Sequence, residues 1–367
     1  MRCAAKLKAV MPIIGLRNPK IGRLDNTWDY CGPFDWVISF HSGQLWLAAQ
    51  VTGDPAFVIQ AQTRRQALRE ILGNPAELDH DLGFQFSLSC VADWKMTGNN
   101  DSRALALRAA EALFRRFNQA GGYIKAWNPK PDDPASCIFA AGRIIADTMQ
   151  NLALLYWASR ETGVAAYREI ADAHTQVTNK HLIRKDGSSY HTFVFDPASG
   201  EPLRGETHQG FADESCWARG QAWMIHGFAQ SYLYTSNPLY REASARLAAT
   251  AEGLMGEDTV PVWDYRLPSG EPTWRDSSAG AVMAAGLYLL ASISENEEKE
   301  HWIAFADRLL DGLITTCDLS KDPKALGLLA HGAAHVSAGR HDNMLPYGDY
   351  YFMEALMRSL GHDQFFW

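Results

Sequence analysis

At Val51-Thr52-Gly53-Asp54-Pro55, one apolar segment of the chain ends and another begins. Similar turns occur at Thr97-Gly98-Asn99 and Thr162-Gly163, and Thr235-Ser236-Asn237 occupies a comparable place. Glycine after a helix readily adopts the left-handed conformation that closes the C-terminus, and Asp or Asn caps the N-terminus of the next helix. The recurring unit is therefore predicted to be a hairpin of two helices joined by a tight turn.

Apolar residues recur with the period of an amphipathic helix in eleven segments, and a less regular twelfth lies near the N-terminus. Six helical hairpins in a ring form an all-α fold, the (α/α)6 toroid, and we predict this fold. The alternatives are a plain helical bundle or a solenoid, although a solenoid would show a tighter fixed repeat. The eleven segments lie at about 40–51, 55–72, 82–96, 102–118, 141–160, 165–181, 215–234, 238–255, 277–293, 298–315 and 348–360.

Long polar stretches at 119–140, 182–214 and 256–276 interrupt the helical pattern. In a toroid they would collect at one rim, and loops on a rigid scaffold often build a binding site. Alternating residues at 190–195 and 260–263 predict short β-hairpins within these loops. Because no low-complexity linker divides the chain, we expect residues 1–367 to form a single (α/α)6-barrel catalytic domain.

The composition is that of a globular protein, with 47% hydrophobic and 21% charged residues, and excludes a disordered or fibrous chain. The net charge is −8, from 34 Lys and Arg against 42 Asp and Glu. Without a basic block, this balance argues against nucleic acid or a membrane surface as a partner. No apolar run is long enough for a transmembrane helix. The oligomeric state is not predictable from these features.

The cellular compartment is inferred from the N-terminus and the cysteines. Residues 1–17 lack a clean apolar core and cleavage site, so no signal peptide is predicted. The six cysteines form no CxxC pair, which favours free thiols in a reducing cytoplasm over disulfides. No His/Cys cluster has the spacing of metal ligands, and we predict neither a metal nor another cofactor.

Two aspartates are candidate functional acids. Asp81 lies where a helix is predicted to begin, a position that equally suits a helix cap. Asp147 shares a polar stripe with Arg143, Gln150 and Asn151 on the helix predicted at 141–160, which is otherwise apolar and thus buried. The stripe faces either solvent, as an Arg143–Asp147 ion pair, or an internal cavity. In a cavity, desolvation would raise the pKa of Asp147 towards neutrality, with Arg143 opposing the shift.

The densest group of aromatic and polar residues is the segment 207–223, predicted to enter a helix near Asp213 or Ser215. Backbone N–H groups at a helix start favour an anion, and Arg219 can hold a carboxylate by two hydrogen bonds. Trp217 could stack on a sugar ring. The alternative is a capped helix with a buried tryptophan.

Similar amphipathic groups lie in other predicted loops. The chain contains twelve tryptophans, and Trp36 and Trp127 occur in polar surroundings, as does His191. Aromatic and polar side chains that converge from separate elements are typical of a carbohydrate cleft.

Eight motifs together resemble the unsaturated glucuronyl hydrolases of glycoside hydrolase family 88. They occur in the order of that family between about residues 34 and 358, which covers most of the chain. The rhamnogalacturonyl hydrolases, a related family with the same toroid, match less well. The motifs are Phe40-His41-Ser42-Gly43, His80-Asp81-Leu82-Gly83-Phe84, Gly142-Arg143-Ile144-Ile145-Ala146-Asp147, Ser188-Ser189-Tyr190-His191-Thr192-Phe193, Thr207-His208-Gln209-Gly210, Trp217-Ala218-Arg219-Gly220-Gln221-Ala222-Trp223, Arg275-Asp276-Ser277-Ser278-Ala279 and Tyr347-Gly348-Asp349-Tyr350-Tyr351.

The resemblance implies a toroid that acts on small oligosaccharides made by polysaccharide lyases, which carry a 4-deoxy uronate with a C4=C5 double bond. It implies that Asp147 is the general acid and base and that Asp81 is a second essential acid, which binds ring hydroxyls and influences the protonation of Asp147. The residues matched to the uronate and its surroundings are His191, Gln209, Trp217 and Arg219, with Trp36 and Trp127 as aromatic walls.

The implied reaction is hydration of an enol ether. Protonation at C4 gives C5 oxocarbenium character, water adds at C5, and the hemiketal opens and releases the neighbouring sugar. One carboxyl group serves as acid and then as base, whereas an ordinary glycosidase needs two carboxyls across the anomeric bond. An ordinary inverting glycosidase and a non-catalytic sugar-binding protein are the remaining alternatives, and the latter would not need both acids.

Two segments depart from the family pattern. The start of the chain is short and interrupted by Pro, Gly and Asn, so we expect the first helix to be incomplete or rebuilt. The segment 334–340 lies where some relatives carry a Ser/Ser/Lys sulfate-binding pattern, which is not intact here. Linkage, sulfation and parent polysaccharide therefore stay open.

Overall fold

A computed structural model of the protein describes residues 1–367, which fold mainly into helices. The α-helices are α1 (Arg2–Ile14), α2 (Phe40–Thr52), α3 (Pro55–Thr63), α4 (Arg65–Leu72), α5 (Leu82–Phe86), α6 (Ala92–Thr97), α7 (Asn100–Phe114), α8 (Pro134–Ala140), α9 (Thr148–Thr162), α10 (Ala165–His181), α11 (Ala218–Thr235), α12 (Pro238–Met255), α13 (Ser277–Ser292), α14 (Asn296–Thr316) and α15 (Pro346–Ser359). The strands are β1 (Asn18–Gly22), β2 (Trp28–Cys31), β3 (Phe117–Asn118), β4 (Tyr123–Ile124), β5 (Arg143–Ile145), β6 (Thr192–Phe195) and β7 (Pro202–Glu206).

The tight turns predicted between helices are present. The residues that end α2, α6, α9 and α11 are left-handed, with φ of 67° at Gly53, 71° at Gly98, 76° at Gly163 and 58° at Ser236. At three of these turns the next residue accepts a backbone N–H of the following helix through its side chain, namely Asp54, Asn99 and Asn237. These caps satisfy helix-end groups that would otherwise lack partners.

Six nearly fully buried helices form a closed inner ring. Going round the ring, α2 contacts the continuous unit of α5, a π-helical turn at Ser87–Val91 and α6, and then come α9, α11, α13 and α15, which returns to α2. The outer layer consists of α3 with α4, α7, α10, α12, α14 and α1, each buried along one stripe. The predicted (α/α)6 toroid is thereby confirmed, and one cluster of 88 buried residues extends through both layers.

The first helix, which was expected to be incomplete or rebuilt, is present as α1, so this expectation was wrong. α1 contains 13 residues, with Pro12 in its last turn, and buries Ala4, Leu7 and Val10. It packs against α2 and so occupies the sixth outer position. The strand pair β1–β2 then leads into the inner ring.

The inner helices all run in the same direction, which gives the ring two different ends. The long loops precede the inner helices, whereas the tight turns follow them, so the N-termini and the long loops share one rim. The chain's last residues close the opposite end. There Trp367 is buried, lies parallel to Tyr351 at a ring distance of 5.7 Å, and donates its Nε1–H to Glu354.

Three local predictions were wrong. Arg143–Ile145 is strand β5 and pairs with β6, so the predicted helix at 141–160 begins only at Thr148. Trp217 is extended and bridges to Asp264, so α11 begins only at Ala218 and not near Asp213 or Ser215. The hairpin predicted at 260–263 is limited to single bridges such as Val262 with Arg275. By contrast, the strand predicted at 190–195 is present as β6.

The six cysteines are unpaired, as predicted. None of the helices combines the length and the apolar run that crossing a membrane would require.

Candidate active site

A three-stranded antiparallel sheet at the rim brings Asp147 and His191 together. In the order β5–β6–β7, Ile145 pairs with Thr192, and the Ala146 N–H donates to the His191 carbonyl at 2.9 Å. Thr192 also pairs with Glu206 of β7, which delivers the loop after β7 to the other side of His191. The register of this small sheet thus aligns the two candidate side chains with the loop that begins at Thr207.

Asp147 lies immediately before α9, and its side chain makes no capping bond there. Its Oδ1 is buried without a hydrogen-bond partner in the protein and lies 3.9 Å from His191 Nε2. Burial raises the pKa of Asp147 to about 7, although the nearby charge of Arg219 opposes that shift. The predicted cavity environment is therefore present, but it arises from the strand-to-helix junction and not from a stripe shared with Arg143. Arg143 instead pairs with Glu206 at 2.6 Å.

His191 is held as one neutral tautomer. Its Nδ1 accepts the backbone N–H groups of His208 at 3.1 Å and Gln209 at 3.2 Å. Burial lowers the pKa of His191 well below its ordinary value, with the charges of neighbouring cations adding to the effect. Since Nδ1 is an acceptor, the ring proton lies on Nε2, which is buried without a protein partner and faces Asp147.

Asp81 lies immediately before α5, as predicted for a helix start. Asn151 links it to the other acid, because its Oδ1 accepts the Phe84 N–H at 2.6 Å and its Nδ2 donates to the Asp147 carbonyl at 3.1 Å. Gly83 permits this approach, since a Cβ there would lie 2.3 Å from Asn151 Cα. Backbone contact between α5 and α9 therefore fixes Asp81 and Asp147, which precede these two helices, beside each other.

The carboxyl of Asp81 is buried among other acids. Burial raises its pKa well above the ordinary value, and the charges of Asp79, Asp147 and Asp35 raise it further. The two candidate acids therefore both favour the protonated form more than an exposed carboxyl does.

Asp79, His80 and Asp81 are the one set of His and carboxylate groups whose ligand atoms lie within 4.8 Å of one another. Hydrogen bonds account for this arrangement: His80 Nδ1 lies 2.9 Å from the Ala126 carbonyl, and Asp79 accepts the Asp81 N–H at 2.9 Å. We assign no metal to these residues.

The sequence pattern of Glycosyl Hydrolase Family 88 matches residues 17–364. The chain belongs to this family. The resemblance carried by the eight motifs is thereby confirmed.

Proteins of family 88 are similar to the chain over nearly its whole length. An unsaturated glucuronyl hydrolase of Bacillus sp. (strain GL1) is 40% identical over 348 residues, 94% of this chain and 91% of that protein. An unsaturated chondroitin disaccharide hydrolase of Streptococcus pyogenes serotype M1 is 36% identical, covering 91% of this chain and 83% of the relative. The crystal structure of unsaturated glucuronyl hydrolase from Bacillus sp. GL1 superposes with a TM-score of 0.91 at 38% identity, over 97% of this chain and 94% of that one.

The three candidate tryptophans occupy different depths in this family 88 chain. Trp36 is half-buried and stacks obliquely on Tyr347 with ring centres 4.9 Å apart. Trp127, also half-buried, packs on Phe139 at 4.8 Å and leaves part of its ring at the rim. Trp217 is buried and lies against the His191 ring at 4.2 Å. Trp36 and Trp127 thus leave part of their rings free to line a cleft, whereas the buried Trp217 packs on the His191 ring.

Arg219 is fixed by the protein. Its Nη1 donates to Asp276 and to the Ala333 carbonyl, and its Nη2 donates to the Ala334 carbonyl at 2.8 Å. The predicted grip of both terminal nitrogens on a ligand carboxylate is not available in this arrangement. Arg219 acts on the site instead through its charge beside Asp147. Gln209 donates to the same Ala334 carbonyl, at 3.1 Å, so one rim loop holds both residues.

The sequence reasoning gave no individual role to three residues that line or brace the site, Tyr347, His208 and Asn151. Tyr347, at the start of α15, lies between Trp36 and the Arg219 guanidinium, 5.3 Å from the latter. His208 and His335 meet at the rim with ring centres 5.4 Å apart. Asn151, named only as part of a polar stripe, braces both acids. Tyr347 and His208 lie within quoted motifs, and their motif membership was the available signal.

The electrostatic setting of the site follows from the direction of the inner helices. Their N-termini converge on the rim that carries Asp81 and Asp147, and a helix N-terminus bears partial positive charge. This arrangement favours an anionic ligand at the rim although the chain carries a net charge of −8.

Proposed function

We propose that this chain, as a single catalytic domain, removes the unsaturated, 4-deoxy glucuronate from the non-reducing end of small lyase-generated oligosaccharides. The relatives of family 88 carry the activities named above, and the chain shares their fold over nearly its full length. The observation that carries the proposal is Asp147, a buried acid with a pKa of about 7 and an unpartnered oxygen facing a fixed histidine. Such an acid holds its proton near neutral pH and can release it.

In the proposed reaction, protonated Asp147 transfers its proton to C4 of the unsaturated ring. The C4=C5 electron pair forms the new C4–H bond, and the positive charge at C5 is shared with the ring oxygen. Water then adds at C5 and returns a proton to Asp147. The resulting hemiketal opens by breaking the C5–O bond, and the hemiacetal formed at C1 releases the next sugar. Atoms and charges balance, and no glycosyl–enzyme bond forms.

We propose that His191 and Asp147 together hold the water that adds at C5. Their facing atoms are 3.9 Å apart and neither has a partner in the protein, so a water hydrogen-bonded to both would sit off the line between them. His191 Nε2–H would donate to this water, which would donate to Asp147 Oδ1. The orientation of the water is set by the His191 tautomer, since only the Nε2–H form presents a donor to it.

The remaining candidates bind the sugar in this proposal. Trp36 and Trp127 form aromatic walls of the cleft, and Asp81 accepts hydrogen bonds from ring hydroxyls. Gln209 completes the cleft from the loop that fixes His191, and Arg219 contributes positive charge near the uronate carboxylate. Because Arg219 is engaged by Asp276, the helix N-termini at the rim supply the remaining attraction for that carboxylate. A cytoplasmic location, inferred from the sequence, stays a prediction.

The test is to mix the protein with unsaturated disaccharides released by lyases from chondroitin, hyaluronan, heparin and gellan. Hydration removes the conjugated C=C–carboxylate, so the ultraviolet absorbance of that group should decay with at least one substrate. A saturated glucuronide serves as the control and should stay uncleaved. Absence of decay with all four substrates, or cleavage of the saturated control at a similar rate, would contradict the proposal.

A further inference from the structure

His80 is a buried residue beside Asp81 that the proposed reaction does not yet use. Its Nδ1 lies 2.9 Å from the carbonyl oxygen of Ala126. A carbonyl only accepts hydrogen bonds, so the ring proton lies on Nδ1. Burial lowers the pKa of His80 to about 4, which keeps the ring neutral. Nε2 is therefore a lone-pair acceptor, and it lies 3.4 Å from Asp81 Oδ1.

The Ala126 backbone gives this histidine a rigid support. Its carbonyl accepts from His80 Nδ1 and from Arg116 Nη2, at 2.9 Å each, and its N–H donates to the Arg143 carbonyl at 3.0 Å. Arg143 begins the strand that leads to Asp147. Through its carbonyl and its N–H, Ala126 thus connects the loop that carries Asp81 to the strand that leads to Asp147.

Charged and titratable groups surround the pair of His80 and Asp81 on every packed element. Asp79 comes from the same loop, Asp35 from the segment before α2, and Asp147 from the start of α9. Arg116, from the segment between α7 and β3, and His174 from α10 also lie near His80. Burial lowers the pKa of His174 to about 3, so it is neutral, and Arg116 donates to the carbonyls of Leu78, Lys125 and Ala126.

We propose that His80 is a positioning residue whose Nε2 accepts the carboxyl proton of Asp81, so that this acid stays neutral beside Asp147 and turns its other oxygen towards the sugar hydroxyls. The 3.4 Å separation shortens to a hydrogen bond when substrate fills the cleft, as contacts in unliganded active sites commonly do. The inference rests on the proposed function for its catalytic consequence. The protonation pattern itself does not depend on activity.

The consequence is a fixed order of ionisation. With its proton held by His80, Asp81 ionises after Asp147 as the pH rises, and Asp147 experiences no neighbouring negative charge. Without that acceptor the neutral form of Asp81 loses a partner, and the pKa of Asp81 falls. Asp81 then ionises earlier, and its negative charge raises the pKa of Asp147.

Two substitutions of His80 test the roles of its two ring nitrogens separately. The side-chain amide of H80N can replace Nδ1 and donate to the Ala126 carbonyl, but it offers nothing at the position of Nε2. H80Q reaches the Nε2 position with an acceptor and abandons the Ala126 bond. In the pH dependence of kcat/KM for unsaturated disaccharides, we expect the alkaline limb of H80N to move up by about one pH unit. H80Q should keep the wild-type limb. The proposal would be overturned if the alkaline limb lay at the same pH in both variants, or if it moved only in H80Q.

A second measurement decides the question in the wild-type protein without substrate. In ¹⁵N spectra the His80 ring should show its proton on Nδ1 at neutral pH. In protein labelled with ¹³C at the aspartate carboxyls and assigned with D81N, Asp81 should stay protonated after Asp147 has ionised. A proton on Nε2, or ionisation of Asp81 before Asp147, overturns the inference even if the variants misfold. Loss of the proposed function would appear separately, as a wild-type protein that consumes no unsaturated substrate.

Discussion

The starts of α9 and α15 each hold a buried carboxyl with a raised pKa, and they use it differently. Burial raises the pKa of both Asp147 and Asp349 to about 7. Both oxygens of Asp349 accept backbone N–H groups, from Leu328 and Leu329 at 2.9 Å each. Asp147 instead leaves Oδ1 without a partner and turned towards His191. A raised pKa alone does not identify the catalytic acid. The oxygen without a protein partner is what distinguishes Asp147, the proposed catalytic acid, from Asp349.

The largest expected effect separates the two acids by activity. D147N removes the group that is proposed to give its proton to C4, and general acid and base catalysis is worth roughly 10²–10⁴-fold in rate. We expect kcat on unsaturated disaccharide to fall by that amount in D147N. The matched control D349N should stay within about three-fold, because the Asp349 carboxyl accepts hydrogen bonds only from the backbone N–H groups of Leu328 and Leu329 and makes none to the candidate site residues. Similar losses of kcat in both variants would contradict the distinction between Asp147 and Asp349.

The second effect concerns the free energy of unfolding, to which Asp147 and Asp349 should contribute in the same way. When the pKa of a carboxyl is higher in the folded protein than in the unfolded chain, the protonated carboxyl stabilises the folded state. This stabilisation is complete below the pKa of the unfolded chain and is lost as the pH rises through the pKa of the folded protein. For both acids the window extends from about 4 to about 7. Each shift of roughly three units corresponds to at most ~4 kcal/mol. Wild-type free energies of unfolding should therefore decline across this window.

Denaturant unfolding at several pH values tests this expectation. D147N and D349N should each flatten the decline by a similar amount, whatever constant cost each substitution adds. A steep decline that persists in D147N would show that Asp147 ionises in the folded protein at its ordinary pH.

A smaller effect concerns the contact that sets the spacing of Asp81 and Asp147. In G83A the new Cβ would lie 2.3 Å from Asn151 Cα, so the backbones must separate. We expect a loss of about 1–3 kcal/mol in the free energy of unfolding, together with reduced kcat. The control G253A adds a methyl group in α12 with no atom within 4 Å and should gain about 0.5–1 kcal/mol. Improved stability in both variants would contradict the spacing argument.

The smallest effect concerns Trp127, the proposed aromatic wall at the rim. Aromatic stacking contributes about 0.5–1.5 kcal/mol, so W127A should raise KM by up to about ten-fold and leave kcat nearly unchanged. W127F retains a flat ring and should recover most of the affinity. Initial rates over a range of substrate concentrations give both constants, and an effect on kcat alone would assign Trp127 to the chemistry.

The fold was predictable because its signals are local. Each tight turn is encoded within three or four residues, as at Thr97-Gly98-Asn99, and the apolar period of each helix lies within one segment. Strand β5 was missed since Ile144 and Ile145 suit a buried helix equally well, and their partner Phe193 or Thr192 lies nearly fifty residues away. Non-local pairing of this kind leaves no trace in a short window of sequence.

The site was predictable by residue type more than by arrangement. Asp147 was singled out on a helical stripe that does not exist, and its true surroundings depend on His191 from a later strand. Arg219 was expected to bind a ligand because its partner Asp276, 57 residues further along the chain, cannot be identified from sequence spacing. Asn151 and His80 were passed over for the same reason, since their hydrogen-bond partners come from other elements.

Asp81 and Asp147 are held by different parts of the chain from those that form the outer rim of the cleft. Asp81 and Asp147 are braced by inner helices and by the Ala126 backbone, whereas the part of the loop at 331–343 that begins with His335 contacts the site only at the rim, through His208. Exchange of that loop beyond Ala334, whose carbonyl oxygen holds Arg219 and Gln209, would change the rim and keep the Arg219 charge beside Asp147. A designer could therefore graft the part of this loop beyond Ala334 from relatives and ask whether the accepted leaving sugar changes while Asp81 and Asp147 keep their surroundings.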